Sequence, residues 1–160
     1  MKSLQDLFVH MLKDVYHAEK QAIRAYPKMV KSVKTPELKQ ALEEHRDETL
    51  GQVERLEQIF EMLDRRARGE PCEAMQSLIE EGREVLEEAE DDNVREAGII
   101  AAAQAIEHYE IARYGTLRAW AEELGMGDAA KLLQQTLDEE KKTDERLNKL
   151  AVDRVNRKAA

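Results

Sequence analysis

Apolar residues recur along this chain at spacings of three and four, the period of an amphipathic helix rather than a strand. The first helix is expected from about residue 3 to 33, with Ser3 as N-cap and Leu4, Phe8, Met11, Leu12, Val15, Ala18, Ala22 and Met29 on its apolar side. Thr35, Pro36 and Glu37 then supply an N-cap, an N1 proline and an acidic first turn. That second helix runs to Leu63, where Arg65, Arg66, Arg68 and Gly69 make a basic, glycine-ended stop. A shorter amphipathic piece, Ala74 to Ala89, carries Met75, Leu78, Ile79, Val85 and Leu86 on one side. The third long helix opens at Asp92 or Asn93 and continues to Leu124, with Gly125 as its stop. The fourth opens at Gly127 and Asp128 and ends in the basic tail Arg154 to Lys158, which complements its dipole.

Composition supports the all-helical reading: 42% of residues are apolar, 37% are charged, and glycine and proline are scarce. A chain of 160 residues suits one domain, residues 1–160, with about two thirds of its unfolded surface available for burial. Short links make the first and last helix pairs antiparallel, whereas the stretch of roughly 30 residues between them is long enough to cross the bundle. The expected fold is an all-α, ferritin-like four-helix bundle with a long crossover carrying a short extra helix. Acids outnumber bases by 34 to 25, giving a net charge of −9 that disfavours nucleic acid and anionic membrane surfaces as partners. Without a signal-like leader or a long apolar run, the chain is expected in the cytoplasm. The lone Cys72 excludes an internal disulfide and reads as a loop residue without a redox role.

The buried stripes hold the informative residues. The first helix places Glu19 between Val15 and Ala22; the second places His45, Glu48 and Gln52 between Leu42 and Leu56. The third interrupts its stripe with Glu107 and Glu110, and the fourth with Glu140 and Asp144. If the helices pack, these residues meet in one layer where several carboxylates repel each other in a poorly hydrated interior. No Lys or Arg falls on the stripes, which leaves protons, water or bound cations to neutralise the layer. Two metal ions do so best, and carboxylates with one imidazole suit iron or manganese rather than a structural zinc. Glu19, His45, Glu48, Glu107, Glu110, Glu140 and Asp144 are the candidate ligands, with Gln52 behind them. His45 has two other readings, as a donor to Glu48 or as a satisfied core histidine. Gly51 is expected to let another group approach the helix closely. His10, His17 and His108 fall off the stripes and read as surface residues. The tyrosines read mainly as packing, with Tyr26 and Tyr114 near enough to the acids for an electron relay.

The stretches LQDLFVHMLKDVYHAEKQ, HRDETLGQVERLEQIF, IIAAAQAIEHYEIARYGTL and LLQQTLDEEKKTDERL resemble the bacterial YciF/YciE stress-protein family over nearly the whole chain. The resemblance implies a ferritin-like fold related to rubrerythrin, a dinuclear metal centre, a homodimer and a link to stress responses. The ferritin-like ligand scheme takes a carboxylate from the first helix, where Glu19 stands, and from the third, where Glu107 and Glu110 stand. Its usual Glu-x-x-His pairs are missing: His45 precedes Glu48, Gly51 stands where a histidine would fall, and Glu140 is followed by Asp144. Two functions follow as expectations. One is redox chemistry on ferrous iron with oxygen or peroxide; the other is a non-enzymatic bundle in which any metal serves structure or partner binding.

Overall fold

The computed structural model describes all residues, Met1–Ala160, and contains helices and no strands. Helix α1 is Leu4–Lys31, α2 Pro36–Met62, α3 Glu73–Glu88, α4 Asp92–Glu123 and α5 Gly127–Leu150. The last helix passes through a π-helical turn, Ala151–Val155, into a final turn α6, Asn156–Ala159. The long helices α1, α2, α4 and α5 form the bundle, and α3 lies in the crossover between α2 and α4, packed against α1 and α4. This is the expected ferritin-like arrangement.

Several helix ends differ in detail from the sequence reading. Ser3 caps α1 as expected, its Oγ accepting from the Asp6 N–H at 3.1 Å. The Thr35 side chain does not cap α2; buried Glu96 of α4 accepts from the N–H groups of Lys34 and Thr35 at 2.6 and 2.7 Å and from the Thr35 hydroxyl at 2.5 Å. A carboxylate from a neighbouring helix thereby replaces the local cap. Asp91, not Asp92 or Asn93, caps α4, accepting from the N–H groups of Asn93 and Val94 at 2.8 and 3.1 Å. Cys72 is the buried N-cap of α3, with its Sγ accepting from the Met75 N–H at 3.5 Å. Helix α2 ends at Met62 with Leu63 as its C-cap, as read, and the chain turns at Asp64, in the left-handed region at φ 50°. Gly125, at φ 70°, ends α4 as read.

The apolar core consists of two clusters. One gathers Tyr26, Leu38, Leu42, Met75, Ile99, Ile100 and Leu147; the other gathers Phe8, Leu12, Leu56, Phe60, Leu117 and Leu133. Each fully buried aliphatic side chain contributes about 1.5–3 kcal/mol, so these clusters hold the helices in register. Between them lie the buried polar residues Glu19, His45, Gln52, Glu107, Glu110 and Glu140. Small residues let α3 dock: a Cβ added at Gly82 would stand 3.0 Å from Ala102 Cβ. No helix is long and apolar enough to cross a membrane.

Candidate metal centre

Each long helix brings its polar residue inward because apolar neighbours one turn away on either side hold that face against the core. Glu19 is set between Val15 and Ala22 on α1, and His45 between Leu42 and Thr49 on α2. Glu107 and Glu110 occupy one face of α4 between Ala103 and Tyr114, and Glu140 follows Leu137 on α5. Glu19, Glu107 and Glu140 are 0% exposed, and His45 2%, so water contributes almost nothing to their solvation.

One ligand atom from each of His45, Glu107, Glu110 and Glu140 falls within 4.8 Å of all the others. His45 Nε2 stands 3.0 Å from Glu107 Oε1 and 3.6 Å from Glu140 Oε2. On its other side, Nδ1 meets the Thr143 hydroxyl at 3.1 Å and Glu48 Oε2 at 3.5 Å. Tyr26 donates to Glu107 Oε1 at 3.1 Å, and Tyr114 donates to Glu19. Gln52 donates from one amide nitrogen to Glu140 and, at 3.2 Å, to Glu139, which is also paired with Arg55. Buried atoms nevertheless remain without a hydrogen-bond partner: Oε2 of Glu19, Glu107 and Glu140, Oε1 of Glu110, and Nε2 of His45, whose contact with Glu107 lacks hydrogen-bond alignment. Orphaned donors of this kind, four oxygens and one nitrogen, could hold a hard or borderline metal cation.

Electrostatics give the metal-free layer a definite protonation pattern. Burial raises Glu110 well above the usual carboxylate range, and the charges of Glu19, Glu140 and Glu107 add to it. Burial, then Glu107, does the same to Glu140. Glu19 is pushed up to about 7 by burial, partly offset by the Tyr114 and Glu110 hydrogen bonds. Burial would also raise Glu107 and lower His45, but their mutual attraction reverses both: Glu107 falls below its usual value and His45 rises well above its own. A charged His45 against an ionised Glu107, flanked by protonated acids, therefore makes the layer tolerable even without a cation. The protons that compete with cations for this layer thus sit on Glu110 and Glu140.

The structure brings together His45, Glu107, Glu110 and Glu140, with Glu19 beside Glu110 but outside that group of four and Gln52 bonded behind Glu140. Glu48 stands at the rim, about a third exposed, touching only the far side of His45. Asp144 lies outside the group: it accepts from Gln104 at 3.0 Å and pairs with His108 at 3.0 Å on the outer α4/α5 seam. Thr143 occupies the inward place three residues after Glu140; one further residue along the helix turns Asp144 away by about 100°. Thr143 was not singled out from sequence, although its i+3 spacing from Glu140 was visible. Gly51 faces open space rather than a close neighbour. His10 and His108 are exposed, whereas His17 is half-buried and its Nδ1 accepts the Cys72 N–H at 3.2 Å.

The family model of a domain of unknown function, DUF892, matches residues 3–160. Protein YciF of Escherichia coli (strain K12) is 49% identical over 160 residues, covering 99% of this chain and 96% of YciF. The crystal structure of the E. coli stress protein YciF superposes with a TM-score of 0.93 over 98% of this chain and 99% of that one. YcfI of Rhodopseudomonas palustris, 46% identical, matches with a TM-score of 0.90 over 92% of this chain and 94% of its own. A Xanthomonas campestris protein at 23% identity shares the fold, with a TM-score of 0.75 over 98% of this chain and 99% of its own. Agreement of sequence and fold over essentially the full length makes this chain a member of the DUF892 family, to which it is joined by its similarity to YciF.

Proposed function

We propose that this protein is a bacterial stress-response protein whose buried carboxylate–imidazole centre takes up two iron or manganese ions and oxidises ferrous iron with oxygen or peroxide. The observation that carries this reading is the set of orphaned buried atoms on Glu19, His45, Glu107, Glu110 and Glu140, contributed by all four long helices. The stress association comes from the similarity to the E. coli stress protein YciF. Bound iron would supply one-electron reducing equivalents, two of which, with two protons, convert a peroxide to two waters. The protein's part is to bind, orient and shield. Glu107 is kept ionised and ready to ligate, while Glu110 and Glu140 hold protons that leave when a cation arrives. Tyr26 and Tyr114 orient Glu107 and Glu19, and burial raises both phenols well above their usual range, so they remain donors. The two apolar clusters exclude bulk water from above and below.

A second reading, a non-enzymatic bundle, is favoured by one observation: the His45–Glu107 contact and the protonated acids balance the layer without metal. Anaerobic ferrous titration followed by an oxygen or peroxide pulse separates the two. The redox reading expects tight ferrous uptake, ferric near-ultraviolet absorption and stoichiometric oxidant consumption. Ferrous uptake with no oxidant consumed would leave the structural reading, and no uptake of iron or manganese at all would discard the metal centre.

A further inference from the structure

We propose that the turn after α2, together with α1, forms a binding site for a small molecule carrying a phosphate or pyrophosphate group. Lys13, Phe60, Arg65, Arg66, Ala67 and Arg68 line a cavity of about 550 Å³ there, in the size range of small-ligand pockets. The charge is anomalous for this molecule. Acids exceed bases by 34 to 25 over the whole chain, and six of its thirteen arginines, Arg55, Arg83, Arg95, Arg118, Arg146 and Arg154, each reach a carboxylate. Arg65, Arg66 and Arg68 make no ion pair although Asp64 shares their turn; Arg24, Arg46, Arg113 and Arg157 are unpaired as well, but only here do three such arginines fall within four residues. Glu70 pairs with Lys13 and His10, so Lys13 enters the site already partnered and the three arginines carry its free charge; Glu57 and Asp14 accept from the Tyr16 and Tyr109 hydroxyls at 2.8 and 2.7 Å.

The backbone of the turn that carries the exposed arginines is anchored. The Arg65 N–H bonds the Phe60 carbonyl at 3.0 Å, the Glu70 N–H bonds the Lys13 carbonyl at 3.2 Å, and the Cys72 N–H bonds His17 Nδ1. Gly69 lies so close to α1 that a Cβ there would stand 2.9 Å from His17 Cβ. Anchoring at these points fixes the turn before a ligand arrives, which lowers the ordering cost of binding. The α2 C-terminal dipole accounts for cations immediately after Met62, but it falls off within a turn and does not reach Arg68. Guanidinium forks match phosphate oxygens two at a time, and Phe60 and Ala67 add an apolar wall. The site shares no residue with the buried layer.

Isothermal titration of the chelator-treated, metal-free protein with inorganic phosphate, pyrophosphate and ADP at low salt tests this, since without metal the buried centre offers these anions no cation. Saturable binding that weakens with added chloride is expected. Equal affinity for pyrophosphate and ADP assigns recognition to the phosphates alone, and tighter ADP binding brings in the apolar wall. The variant Arg65→Gln/Arg66→Gln/Arg68→Gln should lose at least tenfold in affinity with an unchanged circular dichroism spectrum. Arg157→Gln/Lys158→Gln, a charge reduction elsewhere, should stay within twofold. Absence of saturable binding to all three probes, or equal losses in the two variants, would overturn the site.

Discussion

Glu110 tests the electrostatic account most directly, because its carboxyl is held in the protonated form by burial and by three neighbouring acids. Gln imitates that protonated form in size and polarity. Glu110→Gln is therefore expected to leave metal-free stability at pH 7 unchanged or raised by about 1 kcal/mol. It should weaken manganese or ferrous binding at least tenfold, since an amide oxygen brings no charge to the cation. Urea unfolding with chelator and a metal titration on the same variant check the two halves independently. The pH dependence follows from the same layer. Glu19 has a folded value of about 7 against an ordinary 4.5, so the native state binds more protons than the unfolded chain above pH 4.5, and stability falls as pH rises through 7. His45 acts in the same direction: its raised value contributes fully below the ordinary 6.5 and is lost as pH climbs through the folded value. Glu107, depressed by His45, opposes them only on the acid side, where its contribution disappears as pH falls through the folded value. Glu110 and Glu140, raised by burial, act in the same direction as Glu19, so metal-free protein should lose at least about 3 kcal/mol between pH 5 and 8, measured by urea midpoints. A flat profile over that window would remove the protonation pattern assigned to the layer.

The helices themselves were legible because each carries a strong apolar period, and the polar layer was legible because four interruptions fall at one depth. What escaped were the groups whose role depends on a partner helix. Glu96, near the start of α4, folds onto the start of α2 and replaces the cap expected from Thr35. Thr143 reads as an ordinary helix threonine until α2 brings His45 Nδ1 to it. Asp144 was placed on the stripe by its i+4 spacing from Glu140, but α5 packs on the i+3 line there. Glu96 also supplies a clear prediction. Glu96→Ala leaves the N–H groups of Lys34 and Thr35 without their acceptor where the surroundings are largely dry, at a cost of about 3 kcal/mol; Glu96→Gln retains an acceptor and should cost less. Urea midpoints of the two variants in metal-free protein read this clamp separately from the centre, which lies elsewhere along α4.

The bundle divides its apolar core into two clusters with the ligand layer between them, so a cation bound by His45, Glu107, Glu110 and Glu140 would tie α2, α4 and α5 together between those clusters. Binding energy at such a layer becomes folding energy, because the unfolded chain scatters the ligands. At a free metal concentration 100 times the dissociation constant, the native state gains about 2.7 kcal/mol, which for a domain of this size raises the midpoint of thermal unfolding by roughly 5–10 °C. The shift should grow with the logarithm of metal concentration, release protons from Glu110 and Glu140, and therefore be larger at pH 8 than at pH 6. Calorimetry of the wild type with manganese at the two pH values, beside Glu110→Gln, checks each part of this expectation. The variant gives up one of those protons in advance, so its smaller shift should also depend less on pH. A wild-type midpoint that does not move with manganese at either pH would mean that the orphaned atoms are compensated by protons alone.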